Sequence, residues 1–279
     1  MSALVEEIAW RAKNPACIRG MEFGYPKLQR MIDGLQPSKY YLIGARPSVG
    51  KTAFAGDITC QLAERGIGTM FFSAEMSDLQ VRQRLLATMS GVNPSKSVNS
   101  MLTKSELDRM RNALIAMKKW NLWIDDSDRI NIELLRSRAR KAVSQDGVGC
   151  IIVDYIQLIR GVDPKSRTSK KDEVGEVSGA LKALCKELNV PVIALAQLRR
   201  SGNAYNSSSS QTEIPKPTLE SLKESGDLEQ DADTVILLHR DVQKNASQAT
   251  AIVAKNRSGS CGEVEFAFAN DTTSFSEIP

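Results

Sequence analysis

The sequence predicts an α/β protein: a mostly parallel, twisted sheet flanked by helices, with antiparallel strands added at one edge. Three observations lead there. Between Tyr40 and Gln197 short apolar runs alternate with amphipathic stretches, the pattern of strands that are buried on both faces and connected through helices. The first of these runs, "YYLIGA", passes directly into a glycine-containing turn and then into a helix. Beyond residue 233 the apolar runs follow one another closely. They end in "EVEFAFAN", where Val264, Phe266 and Phe268 alternate with Glu263 and Glu265 as in a half-buried strand.

Taken in order, "SALVEEIAWRAKN" places Leu4 with Ile8 and Val5 with Ala9 at helical spacing beside Trp10, a short amphipathic helix that "NPACIRG" breaks, predicting a linker. After the strand "YYLIGA", Phe54, Ile58 and Leu62 fall one turn apart on a helix. "GTMFFSAE" is the next buried strand, with helices expected around 77–90 and 103–119; then come "LWIDD", a helix near 131–144, and "GCIIVDY". In "DEVGEVSGALKALCKELN" the steps of three and four through Val174, Val177, Leu181, Leu184 and Leu188 make a helix that Pro191 should stop. "VPVIALAQ", "TVILLH" and "ATAIVAKN" complete the strand series. The stretches 160–172 and 199–217, rich in Ser, Gly, Pro and basic residues, read as exposed loops. Both follow parallel strands, at the carboxyl edge where open α/β sheets collect ligands.

A chain of 279 residues with 42% hydrophobic and 25% charged residues can form one large domain with a substantial core. No apolar run is long enough to span a bilayer and the N-terminus lacks a signal-peptide pattern. Five scattered cysteines, an odd number with no close pair, disfavour a disulfide framework and a zinc site. Free thiols fit a cytoplasmic protein. The net charge of +4 permits a nucleic-acid partner without arguing for one. The single histidine, His239, follows "TVILL" and reads as a strand end rather than a catalyst.

The chemistry concentrates in a few places. "GARPSVGKT" fits the relaxed phosphate loop, with Ala45, Arg46, Pro47, Ser48, Val49, Gly50, Lys51 and Thr52 between a strand and a helix. Backbone N–H groups and a helix N-terminus would surround phosphate oxygens, Lys51 would reach the β- and γ-phosphates of ATP, and Thr52 would hold Mg²⁺. Asp154, ending a buried strand, suits the partner carboxylate for that Mg²⁺; the plainer reading is a strand-end Asp capping a turn. Glu75, beyond "GTMFFS", would accept a proton from an attacking water, or belong to a helix start with Ser77 as N-cap. Gln197 ends a further strand as a neutral donor, a weak signal alone. Lys255 and Arg257 in "KNRSGSCGE" fit a solvated turn between strands when taken alone.

Together these features resemble the RecA-like P-loop ATPases, and among them the C-terminal motor domain of the bacterial replicative helicase (DnaB) family. The resemblance runs from about Gly24 to Phe268 through "ARPSVGKT", "FFSAEMS", "IIVDYIQLI", "ALCKELNVPVIALAQLRRS", "LKESGDLEQDADTVILLHRD" and "AKNRSGSCGE". It implies that Glu75 activates water, Asp154 holds Mg²⁺ and Gln197 senses the γ-phosphate. It also implies that Arg257 is an arginine finger, with Lys255 as its companion, both reaching the nucleotide of an adjacent subunit. Lys223, Glu224 and Gly226 match the stretch that follows single-stranded DNA phosphates, with Lys223 where many relatives carry arginine. Lys165, Arg167, Lys170, Lys171, Arg199 and Arg200 would line a central channel, or form a solvated basic surface.

The resemblance implies a ring, a hexamer, that hydrolyses ATP to translocate on single-stranded DNA and unwind duplex, with a primase or helicase loader as partner. Residues 1–15 resemble the linker helix that docks on a neighbour, and residues 16–279 the motor. The family's globular N-terminal domain has no counterpart in the sequence, which would suit a compact helicase encoded by a phage or other mobile element, working in the bacterial cell or the infected host. Two alternatives keep the core but change the function: a filament-forming recombinase, which "ESGDLEQDAD" and "KNRSG" disfavour, and a nucleotide-regulated DNA-binding adaptor that does not unwind.

Overall fold

The structure, a computed structural model, describes residues 17–98, 101–162, 169–198, 214–225 and 228–279, together with positions 5, 6, 9 and 13; of residues 97–98 and 223–225 it describes the backbone. Its strands are β1 (Tyr40–Ala45), β2 (Gly68–Ser73), β3 (Leu122–Asp125), β4 (Val148–Asp154), β5 (Val192–Gln197), β6 (Thr234–His239), β7 (Gln248–Asn256), β8 (Gly262–Ala269) and β9 (Ser274–Glu277). They form one sheet in the order β3-β2-β4-β5-β1-β6-β7-β8-β9. β3 through β6 are parallel neighbours, and β7, β8 and β9 add antiparallel at one edge, as the change of pattern past residue 233 predicts.

Each parallel connection runs through a helix, because a parallel crossover must cover a sheet face. The helix Lys51–Glu64 buries Phe54, Ile58 and Leu62, at the expected spacing. It shares one face of the sheet with the helix Pro26–Ile32 and with the inward residues of β7, β8 and β9. On the other face the helices Ile132–Asp146 and Lys170–Leu188 pack through Leu135, Ala139, Val177, Leu181 and Leu184. In β8, Val264, Phe266 and Phe268 are buried while Glu263 and Glu265 face outward.

The helix Asp78–Ser90 starts at Ser77, whose hydroxyl accepts from Gln80 N while the Gln80 side chain accepts from Ser77 N, a reciprocal cap. The helix Lys104–Met117 opens in the same way, on Thr103 and Glu106. Two expectations are corrected. The helix ending at Leu188 is closed by Asn189 in the left-handed conformation, two residues before Pro191. The loop expected over 160–172 ends earlier, because Ser169 caps a helix whose first turn carries Lys170 and Lys171. The first four residues of "LKESG" end a short 3₁₀ helix, Leu219–Ser225. Of the amphipathic N-terminal stretch, Val5, Glu6, Ala9 and Lys13 are helical and exposed; the rest of that expectation lies outside the described residues.

Candidate active site

The parallel strands all end on one side of the sheet, and the register fixes which residues meet there. Ser73 pairs with Asp154, and Ala45 pairs with both Gln197 and Leu238. The last residues of β1, β2, β4 and β5 therefore form a single row, with β1 in the middle of the sheet, where a crevice for a ligand is expected.

From Ala45 the chain enters the loop Arg46–Gly50. Ser48 (φ 66°) and Gly50 (φ 110°) both take left-handed backbone conformations, and Gly50 is the N-cap of the helix Lys51–Glu64 without a capping side chain. At Gly50 a Cβ would lie 3.0 Å from the Phe275 ring and 3.2 Å from that of Phe268. Glycine is required there both for its φ and for the closeness of the aromatic floor. The free N–H groups of the first turn are left facing outward at the strand ends, the arrangement that holds phosphate.

Lys51, Thr52 and Asp154 come together. Asp154 is fully buried at the end of β4. The Thr52 hydroxyl donates to Asp154 Oδ2 at 2.6 Å, and Lys51 Nζ lies 3.3 Å from Asp154 Oδ1. Beyond that ion pair, Oδ1 is a buried oxygen with no hydrogen-bond partner, which a hard cation between Thr52 and Asp154 would satisfy. Lys51 Nζ also stands 3.6 Å above the centre of the Tyr155 ring. Burial holds the Lys51 ammonium below the usual lysine range, opposed by the charges of Asp154 and Glu75. Among the described residues no group of three or more His, Cys, Asp and Glu side chains gathers as a metal cage. That suits a cation bound by one carboxylate, one hydroxyl and the oxygens of a ligand, as magnesium usually is.

Glu75 is exposed two residues past the end of β2, in a turn fixed on both sides. Ala74 N donates to Asp154 O, Ser73 Oγ donates to Met76 O, and Asp78 N donates to Asp126 Oδ2. The turn that carries Glu75 is thus tied to Asp154 by one backbone bond and closed by two side-chain bonds. Gln197, the last residue of β5, is also exposed, and its peptide is held by the Gln157 side chain.

Arg257 and Lys255 are elsewhere. Thr234 pairs with Asn256, Arg257 N donates to Asp233 O, and Asp233 N donates to Tyr40 O. Arg257 therefore stands level with the start of β1, five strand residues from Ala45. At about 3.3 Å per residue this is roughly 16 Å, beyond the reach of an arginine side chain. Within the chain, Arg257 Nη2 donates to Gln230 O at 2.6 Å, Arg257 Nη1 lies 3.7 Å from Asp233 Oδ1, and Lys255 Nζ donates to Glu229 O and Gln230 O. Burial keeps Lys255 below the usual lysine range, with Arg257 adding to the effect.

Of the residues expected on a DNA path, Lys170 pairs with Glu173 at 2.6 Å on an exposed helical turn, and Lys171 is exposed beside it. Lys223 and Glu224 have 3₁₀ backbone; Lys165, Arg167, Arg199, Arg200 and Gly226 lie outside the described residues. The sequence reading missed Arg240. It follows β6, is 8% exposed, and donates to Ser48 O at 2.6 Å, holding the phosphate loop from below. It also donates to Ala246 O and Asn270 Oδ1 and lies 3.9 Å over the Phe268 ring. Only its position after a strand in the ligand row would have signalled it.

Over residues 20–277 the chain matches the family described as DnaB-like helicase C terminal domain. It belongs to that family. Among similar proteins, the replicative DNA helicase DnaB of Geobacillus stearothermophilus is 36% identical over 92% of this chain and 56% of its own length. That of Treponema pallidum is 36% identical over 98% of this chain and 59% of its own. The chain thus spans little more than half the length of these relatives. Among solved structures, one described as an ATPase domain superposes with a TM-score of 0.87 at 28% identity, over 100% of this chain and 98% of that one. A DnaB-like replicative helicase solved in a study of its interactions with primase gives 0.86 at 28% identity, over 100% of this chain and 66% of that one. The RecA-like core of this DnaB-family domain is the sheet described above. Among its described residues no helix is long and apolar enough to cross a membrane.

Proposed function

We propose that the chain is the motor of an ATP-dependent, replicative-type DNA helicase that completes its active sites between copies. The observation that carries this reading is the separation within one sheet: Lys51, Thr52 and Asp154 gather at the carboxyl ends of the strands, while Arg257 and Lys255 stand at the opposite end. The loop Arg46–Gly50 would bind the phosphates of ATP, with Lys51 on the β- and γ-phosphates. Thr52 and Asp154 would hold Mg²⁺, which would supply neutralisation of the phosphate charge. Glu75 would take the proton of a water attacking the γ-phosphorus as the bond to the β–γ bridging oxygen breaks and the charge leaves on ADP. Gln197 would register whether the γ-phosphate is present. Arg257, with Lys255, would reach the nucleotide of the adjacent copy and stabilise the charge of the transferring group.

On this reading residues 16–279 are the motor and residues 1–15 a helix that docks on a neighbour in a hexameric ring. Lys223, Glu224, Gly226, Arg199, Arg200 and Lys170 would follow the phosphates of single-stranded DNA in the channel. A primase or loader would be its partner, in the cytoplasm of a bacterium or of a phage-infected host. The Ser-rich and basic stretch between β5 and β6 and the exposed Lys170–Lys171 turn support a DNA path at the ligand row.

The test is hydrolysis of ATP on single-stranded DNA by Lys51→Ala and Arg257→Ala proteins, each inactive alone, mixed one to one. Partial recovery is expected, because some interfaces then join an intact phosphate loop to an intact Arg257. Strand displacement on a forked duplex tests the helicase reading itself. Hydrolysis with no displacement would leave the adaptor reading in its place.

A further inference from the structure

The β4–β5 ladder stops early. Its parallel register runs Ile151 with Val192, Ile152 with Ile193 and Val153 with Ala194, and β4 ends at Asp154. β5 continues three residues further, to Gln197. Successive peptides of a strand bond to alternate sides. Leu198 N donates to Ala45 O on the β1 side, so the N–H and C=O of Gln197 face the side from which β4 has already departed. Both would be left without a strand partner. Instead the side-chain amide of Gln157 takes them together: Gln157 Nε2 donates to Gln197 O at 3.1 Å, and Gln157 Oε1 accepts from Gln197 N at 3.2 Å. A primary amide presents one donor and one acceptor in the same plane, as a peptide does. Gln157 thus extends the sheet by one rung at the row where the candidate active site lies.

Gln157 itself is on the 3₁₀ turn Ile156–Leu158, three residues after Asp154. Its hydrogen bonds therefore fix the end of β5 relative to the end of β4. We infer that Gln157 is a positioning residue for hydrolysis: it sets the place of Gln197 relative to Asp154 and the phosphate loop, without itself touching nucleotide. The inference rests on the proposed reading of Gln197 as a sensor of the γ-phosphate. Leucine at 157 would keep the packing volume and remove both bonds. Carboxylate at 157 would keep the acceptor but set a negative charge against the Gln197 carbonyl, and would recover a donor only when protonated.

The experiment compares wild type, Gln197→Ala, Gln157→Leu and Gln157→Glu in steady-state ATP hydrolysis on saturating single-stranded DNA. With two neutral hydrogen bonds lost in Gln157→Leu, kcat should fall about tenfold, while the KM for ATP stays within about twofold. In Gln157→Glu, whose carboxylate is ionised at neutral pH, the donor to Gln197 O is lost and a negative charge faces that carbonyl, so kcat should fall at least as far as in Gln157→Leu with KM again unchanged, a split that a packing role would not produce. Gln157→Leu with kcat within about twofold of wild type would overturn the inference, as would a Gln157→Glu protein that hydrolyses as fast as wild type. If Gln197→Ala is impaired and Gln157→Leu is not, the sensor reading stands and this inference fails. If Gln197→Ala hydrolyses as fast as wild type, the sensor reading fails and takes the inference with it.

Discussion

At position 240 a guanidinium that is 8% exposed donates to oxygens from three separate stretches: Ser48 O in the phosphate loop, Ala246 O after β6, and Asn270 Oδ1 after β8. Burial lowers its proton affinity below that of an ordinary arginine, so its charge is held by these acceptors and by the Phe268 face. Replacing it by methionine keeps the apolar stem and removes the three bonds. Arg240→Met should destabilise the chain by about 2–3 kcal/mol and weaken nucleotide binding about tenfold, because Ser48 no longer has its brace. Arg240→Lys should recover part of the stability and little of the binding, since an ammonium cannot reproduce the fork. Thermal melts and titration with a fluorescent nucleotide read the two effects separately. The contrast with Lys51, Thr52 and Asp154 shows what a sequence displays. Lys51 and Thr52 belong to one contiguous motif, and Asp154 ends a recognisable apolar run. Arg240 instead acts on a backbone carbonyl 192 positions away, and a carbonyl has no side-chain signature. Gln157 was hidden for the same reason.

Among the described elements, the helix Lys51–Glu64 is tied to distant chain through one buried carboxylate. Asp57, 4% exposed, accepts from Phe275 N at 2.7 Å, from the Thr88 hydroxyl at 3.1 Å and from the Tyr25 hydroxyl at 3.2 Å. It thereby joins the phosphate-loop helix to β9, to the helix that begins beyond Glu75, and to the start of the helix Pro26–Ile32. β9 is fastened again at its end, where the Glu277 carboxylate accepts from Lys27 N and Leu28 N. The alternating residues of β8 and the apolar spacing of the helices were legible because burial imposes a period. The helix Pro26–Ile32 and the short strand β9 were not, because their places are set by these single long-range bonds rather than by a period. Burial, opposed by the three hydrogen bonds, pushes the Asp57 carboxyl from its ordinary 3.8 up to about 7. The native state therefore keeps a proton that the unfolded chain has already released. Stability is full below about pH 4, falls as pH rises toward 7, with a slope of at most about 1.4 kcal/mol per unit, and levels off above. Asp57→Asn removes that titration and leaves the amide able to accept from Phe275. Urea midpoints between pH 5 and 8 should show wild type losing ground to Asp57→Asn up to about pH 7 and running parallel to it beyond. A constant difference over that range would mean that Asp57 is ionised throughout.

At the scale of the whole molecule the question is whether one copy is enough. The strand alternation predicted a parallel sheet and its antiparallel edge, but not the strand order, because strands of similar apolar composition give no hint of their neighbours. Yet the order decides the matter. Since β6 lies beside β1 and β7 returns antiparallel, Lys255 and Arg257 emerge at the opposite end of the sheet from Lys51. On the proposed function, nucleotide binding needs only the loop Arg46–Gly50 with Lys51, Thr52 and Asp154, all from one chain. Hydrolysis, on the proposed reading, needs Arg257 from a second. The two should therefore respond differently to dilution. ATP hydrolysis per chain on single-stranded DNA should fall as the protein is diluted from micromolar to low nanomolar concentration, while the affinity for a fluorescent nucleotide stays constant. Arg257→Ala should bind nucleotide normally and lose about 10³-fold or more in kcat at every concentration. Hydrolysis per chain that is independent of concentration, together with an active Arg257→Ala protein, would show each copy to be complete in itself and the cations at the far end of the sheet to serve only their own contacts with Glu229, Gln230 and Asp233.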